Sequence, residues 1–231
     1  DYTKYGSMKD SLSGSRRLIL IARALGIKNR YLRFVSNAKK SQPIVELGCG
    51  NGAFIKDLLD EGFIDVRGVE PSDTYLKVID STLISKDFAA PYLSRIPEST
   101  LGVVIALDVF EHIPHLDLIE LFNLISSRLV NGGELVFRVP NMASPLALIN
   151  YYGDSSHVTP LNEISIRQIA FDFEMEIVSM QSEPFSYPRS LSTIVGILLW
   201  PLYKFFYYFI GAAFGVHYRV LTPNIVCVMR K

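Results

Sequence analysis

From residue 43 onward the chain alternates short apolar runs with helix-length amphipathic segments, and few architectures accept that order. The alternation is typical of an α/β fold in which a mostly parallel sheet has helices on both faces. Seven apolar runs predict strands, at Ile44–Leu47, Val66–Val69, Thr82–Ser85, Val103–Leu107, Leu135–Val139, Glu176–Met180 and Ile225–Met229. Helices are predicted between them at Ala53–Glu61, Ser72–Ile79, Leu116–Leu129 and Leu161–Phe171. Asn131-Gly132-Gly133 is expected to end the third helix and to turn the chain into the fifth strand.

The formal net charge of 0 is a sum over three unlike parts of the chain. Residues 1–40 carry +8, residues 41–183 carry −13 and residues 184–231 carry +5. A uniformly basic nucleic-acid-binding protein is therefore excluded, and the two basic ends are expected to face an anionic surface. The hydrophobic content of 49% allows a full core. Cys49 and Cys227 give no disulfide framework, so we expect a reducing, cytoplasmic compartment.

The two charge boundaries separate a basic N-terminal extension (1–40) and a core (41–183) from the rest of the chain. The remainder is divided further into a hydrophobic insertion (184–217) and a last strand that belongs to the core (218–231). The extension contains an Arg-rich stretch, Ser15–Ser36, which predicts one or two helices that we interpret as a lid.

The insertion contains 26 nearly uncharged residues, 191–216, in which Lys204 is the one charge and Pro201 is expected to interrupt the helix. Length and hydropathy would permit a membrane span. One crossing would, however, place the sixth and seventh strands on opposite sides of the membrane. We therefore interpret the segment as aromatic helices that lie in the membrane interface or re-enter it from the same side. A hydrophobic cap buried on the domain and a dimer face are the alternatives.

A strand that runs into a glycine-rich turn and then a helix, Ile44–Ala53, is the motif with the most chemical content. Its glycines let backbone N–H groups approach a ligand at the helix N-terminus; they are Gly48, Gly50 and Gly52. The first two glycines and Ala53 also fit a dinucleotide fingerprint, so a nicotinamide-dependent oxidoreductase is an alternative. Glu46 lies two residues before the first glycine, where it would repel a pyrophosphate and attract a cationic ligand.

Two further positions favour a ligand that contains adenine and ribose. Glu70 ends the second predicted strand, where its carboxylate can accept two hydrogen bonds from ribose hydroxyls. Asp87 and Phe88 follow the third strand and offer an acceptor for an exocyclic amine beside an aromatic face.

These residues, together with Leu107–Ile113 and Asn131–Gly133, resemble in order the motifs of class I S-adenosylmethionine-dependent methyltransferases. The resemblance covers about residues 41–183 and the last strand, and it implies a Rossmann-like sheet whose last strand is antiparallel. It also implies S-adenosylmethionine as cofactor, with the glycines at the methionine end, Glu70 at the ribose and Asp87 with Phe88 at the adenine. Asp108 would contact the cofactor and face the methyl-transfer site.

Methyl transfer to a hydroxyl requires alignment and a group that accepts the hydroxyl proton. His157 is our first candidate for this base, since it lies in a polar loop, Gly153–Thr159, on the substrate side of the sheet. His112 is a second candidate close to the cofactor, while His115 and His217 are interpreted as bystanders. No His, Cys or Asp cluster has the sequence spacing of metal ligands, so no metal site is expected.

The methyl acceptor is predicted from segments outside the cofactor-binding motifs. Val220–Asn224, which follows the hydrophobic insertion, resembles membrane-associated bacterial methyltransferases of cell-surface polysaccharides. We therefore expect O-methylation of a sugar or lipid-linked saccharide by an enzyme bound peripherally to the inner face of the cytoplasmic membrane. One alternative is O-methylation of an apolar aromatic or quinone precursor, and another is a cofactor-binding docking subunit without catalysis.

Overall fold

The computed structural model describes residues 31–35, 38, 40–72, 81–183, 191–215 and 218–231. The predicted helix Ser72–Ile79, apart from Ser72, and most of the N-terminal extension lie outside the described residues. Three short 3₁₀ turns occur, at Leu32–Phe34, Ser81–Leu83 and Phe110–His112. The strands are β1 Ile44–Leu47, β2 Val66–Val69, β3 Ile84–Ser85, β4 Leu101–Leu107, β5 Leu129–Pro140, β6 Glu176–Ser182 and β7 Asn224–Arg230. The helices are α1 Ala53–Asp60, α2 Ala89–Ser94, α3 His115–Arg128, α4 Ala147–Tyr152, α5 Glu163–Asp172 and α6 Leu191–Ala213.

The strands form one seven-stranded sheet in the order β3-β2-β1-β4-β5-β7-β6. The pairs from β3 to β5 are parallel, whereas β7 is antiparallel to both of its neighbours, β5 and β6. The predicted α/β class, the strand count and the antiparallel last strand are confirmed. Because parallel strands share a direction, the carboxyl ends of β1, β2 and β4 meet at one edge, where ligands bind in open sheets.

Helices cover both faces of the sheet, as expected. On one face, Leu47 of β1 packs in a cluster with Phe122 of α3 and Phe137 of β5. On the other face, Ile44 of β1 packs in a second cluster with Leu58 of α1. Ile44 lies in one cluster and both Val45 and Leu47 lie in the other, because side chains alternate across a strand. Burial on both faces explains why these strands are apolar runs without a polar alternation.

Several element boundaries differ from the prediction. The third strand keeps only Ile84 and Ser85, since the residues before them form a 3₁₀ turn. Strand β5 begins at Leu129 and so includes the glycine pair that was predicted to precede it. Gly132 has a left-handed φ of 78°, and the β4–β5 pairing shifts register between Leu101 and Val103. The two glycines therefore accommodate an irregularity inside the strand.

Helix α5 starts two residues later than predicted because Asn162 caps it. The Asn162 side chain accepts hydrogen bonds from the backbone N–H groups of Ile164 and Ser165 at 2.9 and 3.1 Å. The Ser165 hydroxyl accepts a reciprocal bond from the Asn162 backbone N–H at 2.8 Å, which completes a capping box. The short helices α2 and α4 were not predicted.

Helix α6 is continuous through Pro201, so the predicted interruption there is wrong. Proline removes the bond from its own N–H to the carbonyl four residues earlier, but the chain is helical on both sides of Pro201. The stretch Val195–Ala213 is, in the part of the chain that the structure describes, the one helix long and apolar enough to cross a membrane by length and composition, and none of its most apolar window is buried. Its large side chains, such as Leu198 (73% exposed) and Phe209 (69% exposed), do not form a cap buried on the domain.

Candidate active site

The glycine-rich turn between β1 and α1 has a backbone that other residues rarely adopt. Gly48, Gly50 and Gly52 have φ angles of 64°, 53° and 72°, which is the left-handed region that favours glycine. A Cβ on Gly48 would lie 2.6 Å from Cγ2 of Val109, so the turn also needs the absence of a side chain there. This turn brings the backbone close to the cleft at the carboxyl end of β1.

Glu70, at the end of β2, holds the turn in place. Its two carboxylate oxygens accept the backbone N–H groups of Gly50 at 3.0 Å and Ser72 at 2.9 Å. Burial raises the pKa of Glu70, and these two backbone hydrogen bonds oppose the rise. Each carboxylate oxygen has a further lone pair, so the side chain can also accept hydrogen bonds from a ligand.

Glu46 lies beneath the turn and is only 4% exposed. Its Oε2 atom is buried without a hydrogen-bond partner among the residues that the structure describes. Burial raises its pKa well above the ordinary value, and the carboxylates of Asp57 and Glu70 raise it further. Cys49 lies beside these acids, and burial, followed by the charges of Glu46 and Glu70, raises the pKa of its thiol. That thiol stays protonated, so no nucleophilic chemistry is assigned to it.

Asp87 and Phe88 lie after β3, on the far side of the same cleft. Arg95 bonds to the carboxylate of Asp87, and this hydrogen bond lowers the pKa of Asp87. The Phe88 backbone N–H also donates to this carboxylate at 2.8 Å. The Phe88 ring is 62% exposed and offers a free face to a planar ligand. Asp87 is therefore a charged acceptor beside an aromatic surface.

One cavity of about 410 Å³ joins four of the eight predicted cofactor residues. Its lining includes Gly48, Glu70, Asp87, Phe88 and His112. We call it the cofactor cavity. Among the other predicted residues, Glu46, Gly50, Gly52 and Asp108 do not line it.

A second cavity of about 340 Å³ adjoins the first, and we call it the acceptor cavity. His112 lines both cavities and marks their junction. Most other residues that line the acceptor cavity are polar: Asp108, Glu111, Arg138, Asn150, Asp154, His157 and Asn224. All three predicted catalytic residues, Asp108, His112 and His157, therefore lie around one cavity.

Asp108 ends β4 with a left-handed φ of 58° and forms an ion pair with Arg138 of β5. The Arg138 Nε donates to Asp108 Oδ1 at 2.6 Å, and its Nη1 donates to Glu183 Oε1 at 2.7 Å. Tyr31 and Asn224 complete the network through bonds to Arg138 and Glu183 at 2.6 Å each. Arg138 therefore fixes the position of the Asp108 carboxylate, and both side chains lie in the wall of the acceptor cavity.

Arg138 and Glu183 were not predicted as site residues. The sequence holds one signal for Arg138, since it is the one charged residue in the apolar run Leu135–Val139. Such a charge in a buried strand implies a partner, although the identity of that partner depends on the fold.

His112 and His157 lie side by side, with ring centroids 4.7 Å apart. The Nδ1 of His112 is 2.9 Å from Ser156 Oγ, and that hydroxyl donates to Asp154 Oδ1 at 2.6 Å. The Nδ1 of His157 is 2.9 Å from the backbone carbonyl of Tyr151, and its Nε2 is 3.6 Å from Asp154 Oδ2. His115 is exposed at the start of α3 and lines neither cavity, and His217 lies outside the described residues.

The family model described as a methyltransferase domain matches residues 21–184 of the chain. No curated protein is significantly similar to the chain in sequence. Among solved structures, a SAM-dependent methyltransferase from Archaeoglobus fulgidus is similar with a TM-score of 0.68 and 21% identity, covering 100% of both chains.

Two other solved structures have the same fold. An S-adenosylmethionine-dependent methyltransferase from Mesorhizobium loti has a TM-score of 0.57 and 15% identity, covering 83% of this chain and 91% of its own. A phosphoethanolamine N-methyltransferase from Haemonchus contortus, solved with S-adenosyl-L-methionine, has a TM-score of 0.56 and 17% identity, covering 87% of this chain and 51% of its own. The strand order, the glycine turn and the family model agree, and the chain belongs to the methyltransferase-domain family, as a class I methyltransferase with S-adenosylmethionine as its cofactor.

Proposed function

We propose that this enzyme transfers the methyl group of S-adenosylmethionine to a hydroxyl of a saccharide. The observation that carries the proposal is the junction of two unlike cavities at His112, one with an exposed aromatic face and one lined by charged and polar side chains. Carboxylates of the acceptor cavity, such as Asp108 and Asp154, can accept hydrogen bonds from several sugar hydroxyls. An apolar aromatic acceptor would displace water from these carboxylates without offering hydrogen bonds in return, at a cost in free energy.

The histidine pair supplies the proton acceptor that a sugar hydroxyl needs. Bound S-adenosylmethionine supplies an electrophilic methyl group, and its S–CH₃ bond breaks as the new O–CH₃ bond forms. The Tyr151 carbonyl can only accept a hydrogen bond, so His157 carries its proton on Nδ1 and has a free lone pair on Nε2. We assign His157 as the base that takes the hydroxyl proton. Asp154, 3.6 Å from Nε2, then stabilises the imidazolium cation.

Activity assays with wild type and His157→Ala test this assignment. Removal of the base is expected to lower the rate of methyl transfer by roughly 10²–10⁴-fold. His115→Ala is the matched control, because His115 is exposed and lies outside both cavities. A full rate in His157→Ala would contradict the role of His157.

The acceptor class is tested by offering the enzyme free sugars, lipid-linked saccharides and phenols with the cofactor. Methylation of a saccharide hydroxyl is the expected result. Turnover of a phenol without any turnover of sugars would favour the apolar acceptor instead. Tight cofactor binding without methyl transfer to any membrane extract would indicate a docking subunit.

We also propose that α6 lies on an anionic membrane surface, which places the enzyme beside a lipid-linked acceptor. Tyr207, in the second half of α6, donates its hydroxyl proton to the Ala143 carbonyl at 3.1 Å, so this part of the helix is held against the domain. Val220 and Leu221 are 2% and 1% exposed and belong to the folded domain. The five residues between Phe214 and Val220 extend at most about 22 Å. If α6 crossed the membrane, these residues would have to return through a hydrocarbon layer of about 30 Å, and they are too short to do so. The short connection therefore favours an interfacial position for α6.

Sedimentation with anionic liposomes tests the membrane proposal. The full chain is expected to sediment with the vesicles, because the exposed aromatic side chains of α6 enter the interface and the basic ends are attracted to anionic lipid. A variant in which Leu198, Phe205 and Phe209, all exposed, are changed to serine is expected to stay in the supernatant. Equal sedimentation of this variant would contradict the role of α6 and would indicate the N-terminal extension.

A further inference from the structure

We infer that Glu111, His112 and His157 form a binding site for a divalent first-row transition metal ion in the wall of the acceptor cavity. One ligand atom from each of the three side chains lies within 4.8 Å of the other two. All three residues line the acceptor cavity, so an ion among them would be accessible to a ligand in that cavity.

Both imidazole rings are held in the form that a metal ion requires. The Ser156 hydroxyl donates its proton to Asp154, so it accepts the hydrogen bond from His112, which must carry its proton on Nδ1. The Tyr151 carbonyl accepts a hydrogen bond from Nδ1 of His157 in the same way. In each ring Nε2 is therefore the nitrogen that carries a lone pair for a metal ion. Metal-binding histidines almost always donate their other N–H to such a carbonyl or polar partner.

The backbone fixes the distance between ligands that are far apart in sequence. Glu111 and His112 belong to the 3₁₀ turn Phe110–His112 after β4, whereas His157 comes from the loop before α5. The backbone N–H groups of Val158 and Thr159 both donate to the Glu111 carbonyl, at 2.8 and 3.1 Å. These two bonds attach the histidine loop directly to the turn that carries the other two ligands. The separation of 45 residues in sequence explains why ligand spacing did not predict the site.

The donor set also indicates which ions fit. Two imidazole nitrogens and one carboxylate suit Zn²⁺, Fe²⁺ or Co²⁺, whereas Mg²⁺ and Ca²⁺ prefer sites made of oxygen atoms alone. Glu111 is 1% exposed, and a bound cation would compensate for the loss of water around its carboxylate. Metal–ligand bonds of about 2.1 Å place two ligand atoms at most roughly 4.2 Å apart, so small side-chain rotations complete the site.

The role of the ion in catalysis rests on the proposed function. Three protein ligands leave coordination positions open toward the acceptor cavity. A hydroxyl that binds there loses its proton more easily, because the cation stabilises the alkoxide. Asp154 lies beside the site and can accept that proton. In the metal-bound enzyme the two histidines therefore act as ligands, and Asp154 accepts the hydroxyl proton. His157 has the role of base only in the enzyme without the ion.

Metal titration of the full-length protein, after treatment with a chelator, tests the inference without any measurement of activity. Zn²⁺ binding is followed by calorimetry and Co²⁺ binding by its visible absorption. One ion per chain is expected in wild type and in the control His115→Ala. Affinity is expected to fall more than about tenfold in Glu111→Gln and His157→Asn, since even outer-shell changes cost 10–100-fold. Ser156→Ala, which releases Nδ1 of His112, is expected to weaken binding by about 10–100-fold.

Unchanged affinity in Glu111→Gln and His157→Asn, or no binding in wild type, would overturn the metal site. Calorimetry with S-adenosylmethionine on the same variants checks that they are folded, since neither Glu111 nor His157 lines the cofactor cavity. Metal binding without saccharide methylation would overturn the proposed function and leave the site intact. Undiminished methylation by protein shown to be free of metal would overturn the catalytic role of the ion.

Discussion

Replacing Gly48 with alanine tests the packing of the glycine turn against the end of β4. The φ of 64° at Gly48 costs a residue with a side chain about 1–2 kcal/mol. The new Cβ would also lie 2.6 Å from Cγ2 of Val109, a contact that real structures do not tolerate. Valine is stiff about χ1, so the backbone must shift, which adds about 1–3 kcal/mol. We therefore expect Gly48→Ala to lower the free energy of unfolding by about 2–5 kcal/mol.

Gly50→Ala is the matched control for this change. Gly50 has a similar φ of 53°, but a Cβ there would meet no atom within 4 Å among the described residues. The free energy of unfolding of Gly50→Ala is expected to fall only by the cost of the left-handed backbone, about 1–2 kcal/mol. Thermal unfolding without cofactor measures both variants, and in a chain of this size each kcal/mol lowers the Tm by about 2–4 °C.

A second substitution at Val109 separates the steric part from the backbone part. Val109→Ala removes the methyl group that the new Cβ would meet. In a double-mutant cycle, Gly48→Ala should therefore cost less in the Val109→Ala background, with a coupling of about 0.5–3 kcal/mol. Equal destabilisation by Gly48→Ala and Gly50→Ala, or a coupling of zero, would refute the steric argument.

Three further predictions concern charged groups. Glu70→Ala is expected to weaken S-adenosylmethionine binding by about 1.5–3 kcal/mol, the value of charge-assisted hydrogen bonds, and unchanged calorimetric affinity would remove Glu70 from the site. Because burial raises the pKa of Glu46, folding favours its neutral form, and wild type should lose stability as the pH rises above about 4.5. In denaturant titrations across that pH range, Glu46→Gln should lose less stability than wild type. Arg138→Ala leaves two carboxylates facing each other and should cost roughly 2–4 kcal/mol, somewhat less than a fully buried pair. Lys56→Ala, in an exposed pair, should cost only about 0.3–0.5 kcal/mol in the same unfolding assay.

The cofactor side of the molecule could be predicted from sequence because its determinants are local. The turn needs glycines at fixed positions, and Glu70 and Asp87 directly follow strands whose carboxyl ends meet at one sheet edge. Order along the chain therefore translates into position in the fold. The order of apolar runs also predicted the seven strands, whereas the antiparallel direction of β7 was implied by the resemblance to class I methyltransferases.

The acceptor side depends on contacts between distant residues, which sequence spacing does not reveal. Arg138 meets Glu183 across the β5–β7–β6 side of the sheet, and Glu111 meets the His157 loop through backbone hydrogen bonds. Neither contact leaves a periodic pattern in the sequence. The interruption expected at Pro201 was wrong for a different reason, because local propensity was given more weight than the length of the surrounding apolar helix.

The antiparallel pairing of β6 with β7 has a consequence for the hydrophobic insertion. Ser182 and Ile225 are partners in that pairing, so residues 183–224 form, in topological terms, one very long β-hairpin loop. Loops of this kind accept insertions, because chain length between paired strand ends costs little free energy. The contact of Glu183 with Arg138 and the bonds from Asn141 and Ser144 to residues 220–222 anchor the two ends of the loop. The strand pairing therefore does not require α6 in topological terms, and replacing the helix by a short turn between these anchors would separate the proposed membrane attachment from methyl transfer.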